Sequence, residues 1–164
     1  MPTIWLNLFQ EMQKQPTIRE YRPKYFDAVT ILWRISREKS LPDFQRTKGY
    51  FFYEDRDYFT DRILPDNRVW VAEVDEHPVA FMAMKEDLID QLYVHPDYQR
   101  CRIGEALLNF ARVLSPDHLW LYTLQINIHA RAFYEKNGFV AEKLGISPRP
   151  ENEPDVEYHW RRTS

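Results

Sequence analysis

The apolar positions of this chain follow two periods, one typical of strands and one typical of helices. Short runs rich in valine, isoleucine and aromatic residues predict strands. A polar turn at 75–78 joins two of these runs, which indicates a hairpin. The predicted strands cover residues 17–21, 68–74, 79–84, 89–94, 119–124, 139–144 and 156–162.

Apolar residues three and four positions apart predict helices between these strands. The segment 44–64 is dense in aromatic residues and is predicted to be helical with breaks, and further helices are predicted over 103–114 and 129–136. The resulting order, β-α-α-β-β-β-α-β-α-β-β, is typical of a mixed α/β layer structure in one domain over 17–164. In the first long helix, 25–39, a broad buried stripe is predicted from Phe26, Val29, Ile31, Leu32, Trp33 and Ile35.

Residues 1–16 form a separate N-terminal extension. Helical spacing of apolar residues predicts a short amphipathic helix that ends near Pro16. Its only basic side chain is Lys14, which fits neither a signal peptide nor a strong binder of anionic membranes. Three explanations stay open: packing on its own domain, packing on a second subunit in a homodimer, or an artefact of cloning or start site. The apolar positions are Ile4, Trp5, Leu8, Phe9 and Met12.

Composition narrows the class of protein. The chain has 164 residues, a net charge of −3 and dispersed basic residues, so a concentrated basic face for nucleic acid is not expected. No apolar run approaches the roughly 18–20 residues that span a bilayer. The single Cys101 excludes an intrachain disulfide and a cysteine-cluster zinc site. We therefore expect a cytoplasmic protein without a metal, a membrane partner or a nucleic-acid partner.

The first candidate motif lies where a strand is followed by a helix, at residues 99–106. The first amides of a helix lack internal partners and lie at the positive end of its dipole, so they bind phosphate oxygens. The small Gly104 would allow close approach of a diphosphate, and Arg100 and Arg102 would add charged contacts. A plain structural turn remains an alternative, because the segment has neither a P-loop lysine nor a dinucleotide glycine pattern.

The second candidate motif runs from Asn127 to Phe139. Asn127 is predicted to cap the helix, and Gly138 is predicted to end it in the left-handed conformation that glycine tolerates. Taken in isolation, Tyr134 is as expected for one more packed aromatic residue.

Together the two motifs resemble the GCN5-related N-acetyltransferase (GNAT) superfamily. The resemblance is tight over 89–139 and looser over 17–162. The family's pyrophosphate signature, Gln/Arg-x-x-Gly-x-Gly/Ala, reads here as Gln99-x-x-Arg102-x-Gly104. Arginine thus replaces the first glycine, which indicates either a backbone angle that an L-residue adopts or a weaker grip on the cofactor. The second signature, Asn-x-x-Ala-x-x-Phe-Tyr-x-x-x-Gly-Phe, is complete from Asn127 to Phe139.

The resemblance implies a central, mostly antiparallel sheet splayed between the strands near 89–94 and 119–124 and flanked by helices. It implies acetyl-coenzyme A as acetyl donor and a primary amine as acceptor. Tyr134 would be the catalytic acid that protonates the departing thiolate. Residues expected to contact the cofactor are Leu92, Tyr93, Val94, Gln99, Arg100, Cys101, Arg102, Ile103, Gly104, Glu105, Asn127 and Tyr134.

The acceptor and the general base stay open at this point. A small-molecule amine is the leading expectation; a protein acetyltransferase and a non-catalytic acyl-coenzyme A sensor are the alternatives. Family members that acetylate a ribosomal protein carry glutamate five residues before the asparagine, where this chain has Tyr122. Candidate bases are Asp90, Glu73, Glu54 and His95, the first two expected on solvent faces of strands. Expected around the acceptor are Trp33, Asp43, Phe44, Tyr50, Phe51, Phe52, Tyr53, Glu54 and Asp55, with most of the aromatics in the core.

Overall fold

The architecture is one seven-stranded sheet with helices on both faces. We describe it from a computed structural model, which covers residues 2–13, 15–149 and 151–164. The strand order is β1-β2-β3-β4-β5-β7-β6, and every described neighbouring pair is antiparallel except β4 with β5. The predicted fold class, a mixed and mostly antiparallel sheet, is thereby confirmed. The strands are β1 Thr17–Glu20, β2 Arg68–Val74, β3 His77–Lys85, β4 Leu88–Val94, β5 His118–Leu124, β6 Val140–Ile146 and β7 Pro154–Arg161.

The helices occupy the segments that the sequence predicted, with shifts of one or two residues at most ends. A π-helical turn at Phe59–Ile63 interrupts the aromatic-rich segment, and single 3-10 turns lie at Pro23–Tyr25 and Pro96–Tyr98. The helices are α1 Pro2–Gln13, α2 Phe26–Ser40, α3 Pro42–Lys48, α4 Phe52–Tyr58, α5 Leu64–Asp66, α6 Ile103–Leu114 and α7 Ile128–Lys136.

The sheet separates two hydrophobic cores, because successive side chains of a strand point to opposite faces. Trp70 and Met82 belong to the core beneath α6 and α7. Phe81 belongs to the core beneath α2, where it packs edge-on against Trp33 and Phe59. The two cores give β2 and β3 continuous buried runs rather than an alternating pattern.

Helix α2 buries a narrower stripe than the sequence predicted. Val29, Leu32 and Trp33 are buried, but Ile31 and Ile35 are exposed, so their assignment to the buried stripe is wrong. The buried set continues with Ser36, at the i, i+3, i+4 and i+7 positions of one helix face. A helix that packs on a sheet with one side only leaves its remaining apolar residues in solvent.

Helix α4 turns its aromatic residues outward, which contradicts the expectation that most of them are core. Phe51 is 63% exposed and stacks on Tyr53, with ring centroids 5.8 Å apart. The side chain that α4 turns inward is Asp55, which is buried and pairs with Arg34 and Arg37 of α2. This ion pairing sets the rotation of α4, so its aromatic side faces solvent.

Helix α1 leaves apolar side chains uncovered. Ile4, Trp5, Leu6 and Leu8 are all exposed, Trp5 to 70%, so this side of α1 is not buried against the described chain. The side chains of Phe9 and Met12, predicted for the same stripe, lie outside the described residues. Within 2–13, 15–149 and 151–164, no helix has the length and apolar character required to cross a membrane.

Candidate active site

Strands β4 and β5 diverge to form a wedge-shaped gap in the sheet. The matched pair that the structure shows between them is Leu88 with Trp120, near the start of both strands. In contrast, β4 stays paired with β3 up to Val94, and β5 stays paired with β7 up to Leu124. The gap therefore opens towards the carboxyl ends of β4 and β5, and the splay that the resemblance implied is present.

Asp87 holds the closed end of this gap together. Its backbone carbonyl accepts a hydrogen bond from Trp120 N (3.1 Å). Its carboxylate accepts a second one from Trp120 Nε1 (3.0 Å) and lies 2.6 Å from His118 Nδ1. Burial alone would raise the pKa of Asp87, but the hydrogen bonds from His118 and Trp120 outweigh it and hold that pKa below its usual range. The carboxylate thus fixes β5 to the beginning of β4.

The backbone of β4 presents amides to the gap. His95 N donates to Val79 O of β3 at 2.8 Å, so alternation along the strand turns the N–H groups of Leu92 and Val94 away from β3. The carbonyl of Val94 accepts from Gln99 Nε2 and from Ser36 Oγ, each at 3.1 Å. The donors of Leu92 and Val94 therefore face the space where a paired strand would lie. Tyr93 lies between these two residues, and its ring packs against the core beneath α2.

The turn before α6 contains no glycine, but two of its residues adopt the left-handed backbone conformation that glycine favours. Arg102 has φ +62° and ψ +16°, and Arg100 has φ +64°, both in the left-handed region. This conformation costs an L-residue roughly 1–2 kcal/mol. Arg102 therefore occupies the first glycine position of the signature in a left-handed, strained conformation. The structure thus shows that an L-residue adopts the backbone angle at this position.

The N-terminus of α6 offers free amides beside this turn. The first intrahelical bond runs from Ala106 N to Arg102 O at 3.0 Å, so the N–H groups of Ile103, Gly104 and Glu105 have no intrahelical acceptor. Ile103 is buried in the core and anchors the helix there, while Glu105 is exposed. Cys101 is half-buried within the turn. Gln99, Arg100 and Arg102 are exposed at its rim.

Gly104 has a packing role that the sequence did not reveal. A Cβ at this position would lie 2.9 Å from Cζ of Phe133, closer than carbon atoms pack. The glycine therefore lets α7 approach α6. Phe133 of the second motif and Gly104 of the first touch each other, so the two signatures form one unit.

Helix α7 places Tyr134 in an aromatic environment. The predicted cap is present, since Asn127 Oδ1 accepts from Ala130 N at 3.2 Å, and Gly138 ends the helix with φ +87°. Tyr134 is 8% exposed and packs edge-on against Phe133 and Phe139. Burial raises the pKa of Tyr134 far above its usual value, and the Tyr93 phenol raises it further. Tyr134 therefore stays protonated at neutral pH.

The structure separates the four candidate bases. Glu73 is 7% exposed, accepts a hydrogen bond from Tyr25 and lies 3.4 Å from Arg19, so its expected place on a solvent face is wrong. Tyr25 covers it because the 3-10 turn packs over β2. Asp90 is exposed as expected, where Asn67 Nδ2 donates to it at 3.0 Å.

The other two candidate bases have local structural partners. Glu54 accepts from Phe51 N at 2.7 Å and so stabilises the start of α4. His95 Nδ1 accepts from Asp97 N at 3.1 Å, in the turn where the sequence placed it.

Comparison with known proteins agrees with this geometry. The family model described as an acetyltransferase (GNAT) domain matches residues 65–141. The chain is 34% identical to the peptidyl-lysine N-acetyltransferase YjaB of Escherichia coli over 124 residues, which are 75% of this chain and 81% of YjaB. It is 36% identical over 80 residues to YafP of Escherichia coli, an uncharacterized N-acetyltransferase. That match covers 49% of this chain and 51% of YafP, so the chain spans about half the length of that relative.

Solved structures show the same fold. A GCN5-related N-acetyltransferase from Rhodopseudomonas palustris superposes with a TM-score of 0.74 at 25% identity, over 90% of this chain and 96% of the other. PaiA N-acetyltransferase from Thermoplasma acidophilum, solved in complex with coenzyme A, superposes with a TM-score of 0.67. Its identity is 18%, over 90% of this chain and 99% of PaiA, so this likeness is one of fold.

The fold, the splayed strands and the two adjoining signatures define the class of GNAT-type acetyltransferases. The likeness to YjaB in sequence, in addition to the likeness in fold, shows the family. The chain belongs to the GCN5-related N-acetyltransferase family, and the predicted acetyltransferase class is confirmed.

Proposed function

We propose that residues 17–164 form an N-acetyltransferase domain that moves the acetyl group of acetyl-coenzyme A to a primary amine. The observation that carries this proposal is the gap between β4 and β5. Two N–H donors, of Leu92 and Val94, face the gap from one side. The proposal places the buried phenol of Tyr134 at the α7 side of the same gap.

In this proposal the cofactor lies along β4 as an added strand would. The pantetheine arm pairs with the backbone of Leu92 to Val94, which is how extended ligands bind an open sheet edge. The diphosphate binds the free amides at the start of α6, with Arg100 and Arg102 at the rim. The side-chain oxygen of Asn127 is engaged by Ala130, so its amide NH2 is the part available to the pantetheine. The contacts proposed around the diphosphate come from Gln99, Arg100, Cys101, Arg102, Ile103, Gly104 and Glu105. The coenzyme A complex of PaiA, which shares this fold, supports the proposal.

The chemistry is direct attack of a neutral amine on the thioester carbonyl. The C–N bond forms and negative charge develops on the carbonyl oxygen, where an aimed backbone N–H of Leu92 or Val94 stabilises it. Loss of one such donor costs about 3–4 kcal/mol in comparable sites. The C–S bond then breaks and the thiolate sulfur takes the proton of Tyr134. The attacking nitrogen loses its extra proton to water, and the Tyr134 phenolate takes a proton from water to complete the cycle. The raised pKa of Tyr134 suits this role, because burial also disfavours the thiolate and so raises the affinity of the sulfur for a proton.

The acceptor in the leading version of the proposal is a small-molecule amine. A lysine side chain of a protein is the second candidate, favoured by the likeness to YjaB, which is described as a peptidyl-lysine N-acetyltransferase in two organisms. Both candidates share the same cofactor site and the same attack, so they differ only in what fills the acceptor side.

The test measures release of free thiol from acetyl-coenzyme A in the presence of small amines and lysine-containing peptides. We expect Tyr134→Phe to lower kcat at least tenfold while the calorimetric Kd for acetyl-coenzyme A stays within twofold. Tyr158→Phe is the matched control, because that buried phenol instead bonds to Glu135 and Arg131. It should lower stability without a comparable loss of kcat.

Two results would overturn parts of the proposal. Unchanged turnover in Tyr134→Phe would remove the role of Tyr134 as the acid. Cofactor binding without thiol release for any amine or peptide would instead favour the acyl-coenzyme A sensor.

A further inference from the structure

Helix α4 presents one face that combines exposed aromatic rings with carboxylates. Tyr53 and Asp57 are four residues apart, as are Glu54 and Tyr58, so each pair lies on one side of the helix. The two pairs occupy adjoining strips, and all four residues are exposed. Phe51, immediately before the helix, is also exposed and stacks on Tyr53. We call these five residues the acidic aromatic face of α4.

Buried ion pairs keep this face in solvent. The Asp55 carboxylate, on the opposite side of α4, is 4% exposed, lies 2.9 Å from a terminal nitrogen of Arg34 and also pairs with Arg37. Removing the partners of a buried charge is strongly destabilising, so α4 cannot rotate its rings into the core. Clustered aromatic side chains that stay exposed are typical of surfaces that bind a partner.

The charge of this segment is negative. Residues 51–61 contain four acidic side chains and one basic side chain, that of Arg56. Arg56 pairs with Asp27 at 2.8 Å, and its guanidinium lies 4.5 Å from the centre of the Phe26 ring. The carboxylates of Glu54 and Asp57 remain exposed beside the rings of the face. A positively charged partner is complementary to this surface, and arginine in particular both stacks on aromatic rings and pairs with carboxylates.

Ring contacts connect the face to the proposed site of acetyl transfer. The centroid of the Tyr58 ring lies 6.2 Å from that of Trp33, which lies 6.4 Å from that of Tyr93. Tyr93 lies in β4 between Leu92 and Val94, whose N–H groups face the gap. An extended peptide advances about 3.3–3.6 Å per residue, so the face lies about four residues from a lysine that enters the gap.

We propose that the acidic aromatic face of α4 binds a basic, extended segment of an acceptor protein, about four residues from the lysine that is acetylated. This inference rests on the proposed acetyl transfer and selects the protein lysine from the two acceptors considered there. Guanidinium or ammonium groups of the segment stack on Phe51, Tyr53 and Tyr58 and pair with the carboxylates of Glu54 and Asp57. None of these groups touches the reacting atoms, so the face acts on the affinity for the acceptor.

The test compares acceptor peptides by the release of free thiol from acetyl-coenzyme A. Each peptide carries one lysine in a chain of alanine and glycine, with two arginines about four residues before it, about four residues after it, or absent. We expect the better arginine-flanked peptide to exceed the unflanked one at least fivefold in kcat/KM, through a lower KM. This advantage should shrink as the salt concentration rises from about 0.05 to about 0.5 M, because screening weakens exposed charge pairs.

Two double variants locate the effect on the protein. Tyr53→Ala with Asp57→Asn should bring the flanked peptide to within about twofold of the unflanked one, while kcat/KM for a small amine stays unchanged. The matched control is Val113→Ala with Asp75→Asn, which changes an exposed apolar residue of α6 and an exposed carboxylate in the turn between β2 and β3. This control should keep the full preference for arginine. All four side chains are exposed, so both variants should keep the Tm of the wild type.

The outcomes separate this inference from the function on which it rests. Equal turnover of flanked and unflanked peptides overturns the docking role, and so does a preference for arginine that survives Tyr53→Ala with Asp57→Asn. An equal loss for a small amine in that variant also overturns it, because the face would then belong to a small-molecule pocket. In all three cases thiol release by the wild type leaves the acetyl transfer intact. If the wild type releases no thiol with any acceptor, the proposed function itself fails.

Discussion

Replacement of Arg102 by glycine should make the protein more stable. Arg102 has φ +62° and its side chain is exposed, so the main effect of the substitution is on backbone strain. Relief of the left-handed conformation gains about 1–2 kcal/mol. The greater backbone entropy that glycine loses on folding offsets about 0.5–1 kcal/mol of this gain. The expected net stabilisation is about 0.5–1 kcal/mol, or roughly 1–4 °C in Tm for a chain of this size.

Arg102→Ala is the matched variant that separates strain from charge. Alanine keeps the Cβ and therefore the strain, so its Tm should stay close to that of the wild type. Both variants lose the guanidinium at the rim of the proposed diphosphate site. Calorimetry should therefore show a similar loss of acetyl-coenzyme A affinity in both, about 1 kcal/mol or roughly fivefold in Kd.

The assay is differential scanning calorimetry of the three proteins without ligand. A Tm of Arg102→Gly equal to or below that of Arg102→Ala would refute the reasoning, because residue 102 would then not be left-handed in solution. Equal cofactor affinity in all three proteins would contradict the proposed diphosphate contact.

Two further predictions concern the ends of the site. Asp87→Asn should lower the free energy of unfolding at pH 7 by about 1 kcal/mol. The pKa of Asp87 is lowered by folding, so its contribution is present above the ordinary carboxyl pKa near 4 and is lost as the pH falls through the folded value. Urea unfolding should thus show a difference from the wild type at pH 7 that shrinks near pH 3; a constant difference would contradict this. Asn127→Ala should cost about 1 kcal/mol through loss of the α7 cap and should lower kcat through Tyr134, and an unchanged Tm would refute the capping role.

The order of strands and helices could be predicted from periodicity, because each element carries its own pattern of apolar residues. The face that each helix buries was harder to predict from the sequence. Ile31 and Ile35 have the hydrophobicity of core residues but lie on the outer side of α2, since its packing partner covers one face only. In α4, the ion pairs of Asp55 override the aromatic pattern, and the sequence carries no local sign of that pairing.

The strand, turn and helices of the proposed cofactor site could be predicted because they are nearly continuous in sequence and resemble a known family. Contacts between distant segments could not be predicted, because no local pattern in the sequence records them. Lys48 and Glu151, which meet in the structure, are 103 residues apart along the chain. The left-handed backbone at Arg102 was also hidden, since only the structure shows that an arginine accepts the angle of a glycine.

The central claim is that coenzyme A binds in the gap by pairing with β4. Residue-resolved amide hydrogen exchange by NMR, with and without saturating acetyl-coenzyme A, tests this claim most directly. We predict that the amides of Leu92 and Val94 become protected on binding, together with those at the start of α6. Unchanged exchange at Leu92 and Val94 in the presence of bound cofactor would contradict it.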